Sequence, residues 1–311
     1  AGSGVGMVTG ATMANATCLA TARDTVLRRV GWDVAQRGLV ASPGVRVLVG
    51  AERHDSIDKG LRLLGLGRPE PVAADDQGRM RADALPPLDD KTLLILQAGN
   101  VNTGAFDPFA AICPRARDAG AWVHVDGAFG LWAAASPQLR VLTAGVELAD
   151  SWSVDAHKTL NAPYDCGIVL CRHRDALARA MNMTGSYIVY SENRDGMIYT
   201  ADMSRRARAV ELWASLLALG RSGVAQLVDD PSSHPDRFST EDSQRAERER
   251  LHGIIERLVV WENVRDERLL TEARAEIMAS TDNNPPPILD PFARSEERRV
   301  GKECEVPCRS R

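Results

Sequence analysis

Four short apolar runs separated by helical patterns are the feature that most limits the folds open to this chain. The runs cover residues 45–49, 92–96, 121–125 and 167–171. Apolar residues at helical spacing lie between them, over residues 14–30, 56–64 and 108–119. This alternation is typical of parallel strands that are covered by helices on both faces. The sequence therefore predicts an α/β domain whose functional residues collect in loops at the carboxyl ends of the strands.

Charge density divides the chain into two parts. Residues 241–311 carry 29 charged residues in 71 positions, about 41%, whereas residues 1–230 carry 49, about 21%. Residues 229–240 lie between the two parts and are rich in Asp, Pro and Ser, which favour turns. We interpret 229–240 as a linker. Apolar residues then recur at spacings of three and four amid Glu and Arg, which predicts a charged amphipathic helical segment over 241–282.

The two ends of the chain are unusual. Residues 283–311 contain three consecutive prolines and a dense run of Arg and Glu, so we expect them to be disordered. Residues 294–304 also resemble the translation of a common sequencing adapter, which makes this end a candidate sequencing or cloning artefact. At the other end there is no Met at position 1, and a glycine-rich segment, residues 2–12, begins at once.

Composition argues against several classes of protein. No stretch approaches the roughly 18 apolar residues of a membrane helix, and the first residues lack the pattern of a signal peptide. With 38 Lys and Arg against 42 Asp and Glu, nothing favours nucleic acid or an anionic membrane as partner. The six cysteines are too few for a disulfide scaffold and show no metal-ligand spacing, so we expect no metal site and a reducing, cytoplasmic setting.

Three local segments each suggest part of a cofactor site. The glycine-rich segment precedes a helical pattern, and backbone N–H groups at a helix start suit a phosphate. Lys158 follows a segment that can form a strand, and a partly desolvated Lys can form an imine with a carbonyl. Asp126 ends an apolar run, where a carboxylate can face a ligand. Taken singly, each also has a structural interpretation: a glycine-rich turn, a solvated surface lysine and a strand-end acid.

Together the three features match the requirements of pyridoxal phosphate. This cofactor needs a phosphate-binding loop, a lysine that forms the imine and a carboxylate that keeps the pyridine nitrogen protonated. The sequence provides all three in separate strand-end loops. It therefore predicts a pyridoxal-phosphate enzyme.

Five segments resemble the large domain of the group II pyridoxal-phosphate-dependent amino-acid decarboxylases, the family that includes the aromatic-L-amino-acid, tyrosine and glutamate decarboxylases. They are residues 8–15, 51–54, 98–108, 124–128 and 155–158. The resemblance implies the type I pyridoxal-phosphate-enzyme fold, similar to aspartate aminotransferase, with a mostly parallel sheet between helices. It covers residues 1–228. Because the family's N-terminal segment and small C-terminal domain find no match, we expect an N-terminally truncated large domain whose C-terminal small domain is absent or replaced.

The resemblance implies five catalytic residues. Lys158 forms the imine with the cofactor, and Asp126 pairs with the pyridinium nitrogen. His54 stacks on the cofactor ring, and His157 lies against the phosphate or the substrate carboxylate. Tyr187 corresponds to the mobile-loop tyrosine that returns a proton to the substrate carbon. His54 and Tyr187 also have non-catalytic interpretations, as a structural histidine and a half-buried tyrosine.

Further cofactor contacts are implied by the same resemblance. They involve the phosphate, the face of the ring, its hydroxyl group or the substrate, and the neighbourhood of the active site. The residues are Ala11 and Thr12 for the phosphate, Ala128 beside the ring, Asn100 and Asn102 at the ring hydroxyl or substrate, and Arg205 near the site. Which of the two asparagines points inward stays open, and Arg206 and Arg208 compete with Arg205.

The function implied is decarboxylation of an L-amino acid by a homodimer that binds pyridoxal 5'-phosphate. Tyr187 favours this reaction, but Lys158 and Asp126 alone do not determine which bond breaks. Aminotransfer or carbon–carbon cleavage on the same fold is therefore an alternative. A catalytically silent fragment is another.

Overall fold

The computed structural model describes residues 2–183 and 195–229. Tyr187, the linker beyond residue 229, the helical segment 241–282 and the tail 283–311 all lie outside the described residues, so those predictions stay predictions.

The described residues form seven strands and six α-helices, joined by loops and short 3₁₀ turns. The strands are β1 Gly4–Val8, β2 Arg46–Gly50, β3 Glu70–Val72, β4 Thr92–Gln97, β5 Trp122–Asp126, β6 Ser151–Asp155 and β7 Gly167–Cys171. The helices are α1 Ala11–Arg29, α2 Val34–Arg37, α3 Asp55–Leu63, α4 Phe109–Asp118, α5 Arg174–Met181 and α6 Ala209–Asp229, the last interrupted at Gly220. Within these ranges, every helix is too short or too polar to cross a bilayer.

All seven strands belong to one sheet, in the order β1-β7-β6-β5-β4-β2-β3. The pairs β2–β3, β2–β4, β4–β5 and β5–β6 are parallel. Strand β7 runs antiparallel to both of its neighbours, β1 and β6. The prediction of an α/β fold with a mostly parallel sheet between helices is confirmed, and the four apolar runs are β2, β4, β5 and β7.

Strand β4 shows why these runs are apolar without interruption. Leu94 and Leu96 pack on one face of the sheet, in a cluster with Phe109 and Ile112 of α4. Ile95, like Leu93, packs on the other face against side chains of α1 and α3. A strand buried on both faces has no polar side, so its sequence cannot alternate.

The glycine-rich segment is mostly a strand and not a loop. Residues 4–8 form β1 at the edge of the sheet, which leaves Thr9 and Gly10 to connect β1 to α1. A Cβ at Gly6 would lie 2.6 Å from the backbone oxygen of Tyr199. Glycine at this position therefore lets another backbone segment pack directly against the strand.

Candidate active site

The strand directions bring four of the sequence motifs to one edge of the sheet. Because β7 is antiparallel to β1 and to β6, strands β1, β5 and β6 all point the same way. Their carboxyl ends lead into Gly10, Asp126 and the loop that carries Lys158. Strand β2 points in the same direction and leads towards His54. Ligands bind at this edge in open α/β sheets.

Lys158 forms an ion pair within its own loop. Its Nζ lies 3.1 Å from Oδ2 of Asp155, and the side chain is 32% exposed while that of Asp155 is 3% exposed. The other carboxylate oxygen of Asp155, Oδ1, is buried and has no hydrogen-bond partner among the described residues. The lysine is thus held by a buried acid but stays accessible from one side.

His157 is fixed in one tautomer by a backbone contact. Its Nδ1 accepts a hydrogen bond of 3.0 Å from the N–H of Cys166, so the proton of the neutral ring is on Nε2. The ring stacks on Tyr164 with 3.9 Å between centroids. Burial lowers the pKa of His157, and Lys158 adds to that effect while Asp155 opposes it. Its Nε2 lies 3.5 Å from Oδ2 of Asp155, so the ring N–H points towards that buried carboxylate.

Gly10 immediately precedes α1 and leaves the start of the helix uncovered by a side chain. It is the N-cap residue, so the first backbone N–H groups of the helix have no side-chain acceptor from it. A Cβ at Gly10 would lie 3.4 Å from Cε1 of His157, which places that ring beside the loop. A Cβ at Gly167, the first residue of β7, would lie 2.5 Å from Cα of Gly10. Ala11 and Thr12 form the first turn beyond this cradle, which suits an anion.

Asp126 is a buried carboxylate with several donors. Its Oδ1 accepts from the N–H of Ala128 at 3.2 Å, and its Oδ2 accepts from Nδ2 of Asn15 at 3.0 Å. Oγ of Ser153 lies 3.3 Å from Oδ1 of Asp126 but nearer, at 2.6 Å, to Oδ1 of Asn15. Burial raises the pKa of Asp126, while the Asn15 and Ala128 hydrogen bonds and the charges of Lys158 and His54 lower it. Lys158 and His54 are therefore near enough to influence this carboxylate electrostatically.

The remaining ring-contact predictions fall on the same edge with different surroundings. His54 is exposed and caps α3, where its Nδ1 accepts from the N–H of Ser56 at 3.1 Å. Asn100 is buried, and its side chain bonds the carbonyl of Glu52 and the N–H of Asn102. Asn102 is exposed. Asn100 thus holds its loop to the end of β2, and the ligand contacts of both asparagines stay predictions.

Of the three arginines, Arg206 and Arg208 contact the loop between β6 and β7, where Arg206 donates to the carbonyl of Tyr164 at 3.3 Å. Arg205 donates to the carbonyls of Asp202 and Met203 in its own loop. Arg208 is 8% exposed and donates from Nη2 to Asp165 at 2.9 Å, while its carbonyl accepts from the thiol of Cys166. Arg208 therefore ties the segment before α6 to the loop between β6 and β7.

Sequence reasoning gave no role to Asn15, Ser153 and Asp155. Asn15 is fully buried in a run of small and apolar residues of α1, and a buried polar side chain in such a run needs partners. That was the available signal for Asn15. Ser153 and Asp155 lie in a strand with polar residues, and only the fold shows that they face the site.

Comparison with known proteins shows the family to which the chain belongs. Residues 1–251 match the pyridoxal-dependent decarboxylase conserved domain. The chain belongs to the pyridoxal-dependent decarboxylase family. The aromatic-L-amino-acid decarboxylase of Bacillus atrophaeus is 31% identical to this chain over 237 residues, which cover 71% of the chain and 47% of that protein. The cysteine sulfinic acid decarboxylase of Mus musculus is 32% identical over 217 residues, which cover 63% of the chain and 43% of that protein.

A solved structure confirms the fold of this chain. The crystal structure of mouse CSAD in apo form matches it with a TM-score of 0.64 and 30% sequence identity. The match covers 71% of this chain and 48% of that chain. This chain thus spans less than half the length of these relatives.

The edge of the sheet fits pyridoxal phosphate, the cofactor of this decarboxylase family. The start of α1 at Gly10 leaves space for a phosphate. A Cβ at Gly10 would reduce that space, because it would lie 3.4 Å from Cε1 of His157. The acceptor oxygens of Asp126 are buried at the end of β5, where they suit a protonated ring nitrogen. Lys158 contributes an amine with partial access. The donor and acceptor types match the three parts of the cofactor.

Gly167→Ala should disrupt the phosphate cradle, because the new Cβ meets Gly10 backbone atoms that cannot move aside like a side chain. We expect the free energy of unfolding to fall by about 1–3 kcal/mol, as for other overpacked sites. Affinity for pyridoxal phosphate, measured by titration of absorbance, should fall as well. Gly44→Ala is the matched control, since nothing lies within 4 Å of its Cβ position. Equal behaviour of the two variants would contradict the proposed close contact.

His124, on β5 beside the site, should make the fold sensitive to acid. Burial lowers the pKa of its imidazole to about 3 from an ordinary value of 6.5. Below pH 6.5 the unfolded chain therefore binds a proton there that the folded chain does not. The free energy of unfolding should fall with pH in this range, by up to about 1.4 kcal/mol per pH unit.

Urea unfolding at pH 7 and pH 5 measures this effect. The His124→Gln variant should lose less stability on acidification than the native chain. His173→Gln is the control, because its side chain is 45% exposed. The expectation fails if His124→Gln loses as much stability as the native chain between the two pH values.

Proposed function

We propose that this protein catalyses the pyridoxal-phosphate-dependent decarboxylation of an L-amino acid, as a carboxy-lyase that binds the cofactor through Lys158. The observation that carries the proposal is the meeting of three parts at one edge of the sheet: the amine of Lys158, the buried carboxylate of Asp126 and the start of α1 at Gly10. Family membership and the decarboxylase relatives support it.

Each of these residues has a distinct task in binding. The N–H groups at the start of α1 bind the phosphate. The ring of His157 lies beside them, with its Nε2 facing Asp155. Asp126 accepts a hydrogen bond from the ring nitrogen and holds the proton there, because a nearby negative charge favours the protonated form. Lys158 binds the aldehyde carbon, and Asp155 positions its amine. When bound, pyridoxal phosphate supplies an electron-accepting ring that weakens bonds at the substrate α-carbon.

The choice of bond depends on residues beyond this centre. Lys158 and Asp126 would serve aminotransfer or carbon–carbon cleavage equally well. Tyr187, the residue expected to return a proton after carbon dioxide leaves, lies outside the described residues. The two curated relatives are named for substrates of different chemistry, one aromatic and one a sulfinic acid. The substrate class is therefore an L-amino acid, and its side chain stays open.

Lys158→Ala provides the test of this function. The native chain, mixed with pyridoxal phosphate, should develop a visible absorption band that the variant lacks, because the variant has no amine to bind the aldehyde. Carbon dioxide release from a panel of L-amino acids should follow the same pattern. Lys59→Ala, at an exposed position on α3, is the control and should behave like the native chain.

Three results would count against decarboxylation. Absence of the band in the native chain would reject cofactor binding. A band that persists in Lys158→Ala would reject the role of this lysine. Transfer of the amino group without carbon dioxide release would favour the aminotransferase alternative.

We also propose that the protein acts as a homodimer. Helix α6 exposes a row of large apolar side chains, among them Trp213 at 64% and Leu217 at 68% of their surface. Exposed apolar patches of this kind favour association.

Sedimentation equilibrium at micromolar concentration tests this association. The native chain should sediment as a dimer, and Leu217→Glu should shift it towards monomer by placing a charge in the apolar row. Val40→Glu, an exposed apolar position outside α6, should leave the dimer intact. A monomeric native chain would argue against the homodimer.

A further inference from the structure

Five buried side chains form a continuous hydrogen-bond chain that ends on Asp126. Nε1 of Trp122 lies 3.0 Å from Oγ of Ser151, which lies 3.0 Å from Nδ1 of His124. Nε2 of His124 lies 2.9 Å from Oδ1 of Asn15, and Nδ2 of Asn15 lies 3.0 Å from Oδ2 of Asp126. All five residues are at most 6% exposed.

The chemistry of the two ends gives the chain a direction. An indole N–H can only donate, so Ser151 accepts from Trp122 and its own hydroxyl proton is free for Nδ1 of His124. The role of Asp126 towards a protonated ring nitrogen requires an ionised carboxylate, which can only accept. In that state Asn15 presents its NH₂ group to Asp126 and its carbonyl oxygen to His124. His124 must then carry its proton on Nε2. Every bond thus points from Trp122 towards Asp126.

Two further observations support this arrangement. Burial lowers the pKa of His124 to about 3, so the ring is neutral and has one donor and one acceptor nitrogen, as the chain requires. The hydroxyl of Ser153 also lies 2.6 Å from Oδ1 of Asn15. That oxygen therefore faces two donors, His124 and Ser153. An inverted Asn15 amide would instead place its carbonyl oxygen against the Asp126 carboxylate, where two acceptors would repel each other.

We propose that Asn15 is a positioning residue, held by His124, Ser151 and Trp122, that keeps Asp126 ionised and aimed as an acceptor at the ring nitrogen of the cofactor. The inference rests on the proposed function, because it assigns Asn15 a role at the same site. Asn15 acts through Asp126 and touches neither substrate nor reacting atoms in this role. Its inverted orientation would require a proton on Asp126, which would remove the charge that holds the proton on the ring nitrogen.

The tautomer of His124 tests the direction of the hydrogen-bond chain, in the protein without cofactor. The protein contains six histidines, and comparison of ¹⁵N-histidine NMR spectra of the native chain and His124→Gln assigns the signal. We expect a neutral ring protonated at Nε2, with shifts that stay constant from pH 8 to pH 5. A ring protonated at Nδ1, or one that titrates in this range, would overturn the proposal.

A cofactor analogue with CH in place of the ring nitrogen tests the action on Asp126. Asn15→Leu removes the donor and keeps a similar volume. Its dissociation constant for pyridoxal phosphate should rise on the order of ten-fold, as expected for loss of a hydrogen bond to a charged group. Its dissociation constant for the analogue should change less than two-fold, because that ring offers nothing for Asp126 to accept. Equal losses for both ligands would show a structural role only and would overturn the proposal.

Thr17→Val is the matched control on the same helix. Thr17 is buried, and its hydroxyl bonds only the carbonyl of Met13 one turn earlier in the contacts described. Both dissociation constants should stay near those of the native chain in this variant. A selective loss of pyridoxal phosphate in Thr17→Val would count against the assignment to Asn15.

The two measurements separate this proposal from the proposed function. If the native protein fails to bind pyridoxal phosphate, the proposed function fails. The NMR spectrum alone then decides the direction of the hydrogen-bond chain. If the native chain binds and decarboxylates while His124 is protonated at Nδ1, the function stands and the positioning role falls. The NMR result also decides the question if Asn15→Leu does not fold.

Discussion

The burial of one carboxylate, Asp126, is the constraint on which the rest of the site depends. A charged group removed from water is costly unless hydrogen bonds replace its hydration. The replacements come from two elements: the side chain of Asn15 in α1 and the backbone N–H of Ala128 just beyond β5. The helix that offers its amino end to a phosphate is therefore also the helix that satisfies the acid. The contact between Asn15 and Asp126 thus positions both the start of α1 and the carboxylate.

The second constraint is the close approach of backbone to backbone at the phosphate loop. A side chain at Gly167 would collide with the backbone of Gly10, because its Cβ would lie 2.5 Å from Cα of Gly10. His157 then lies along the loop, its orientation fixed by the N–H of Cys166 at the edge of the same hairpin. The space for a phosphate at the start of α1 is therefore bounded by the ends of β1 and β6 and by the start of β7. The dipole of α1 acts on an anion within that space.

Much of the fold could be predicted because the central strands are buried on both faces. Strands β2, β4, β5 and β7 produce uninterrupted apolar runs for that reason. Strand β1 could not be predicted in the same way, since its glycines reflect close packing and resemble a loop in sequence. Strand β3 has only three residues, two of them exposed, and offers too little pattern.

The candidate site divides along similar lines. Lys158 and Asp126 are recognisable because each belongs to a local motif whose residue types match one cofactor. The partnership of Asn15 with Asp126 joins residues 111 positions apart, and that with Ser153 joins residues 138 apart. No local pattern encodes such pairs. They follow from the crossing of α1 over β5 and β6, which only the complete fold defines.

The hairpin that carries Lys158 has a consequence for how the site assembles. Asp155 pairs with Gly167 directly across the loop, so the lysine, its acid partner and His157 are brought together by contacts that are near in sequence. Closing a short loop costs less conformational entropy than joining distant segments, and local contacts form faster. The reactive amine thus belongs to the part of the protein with low contact order. The buried carboxylate of Asp126, by contrast, depends on the long-range contact with Asn15 of α1.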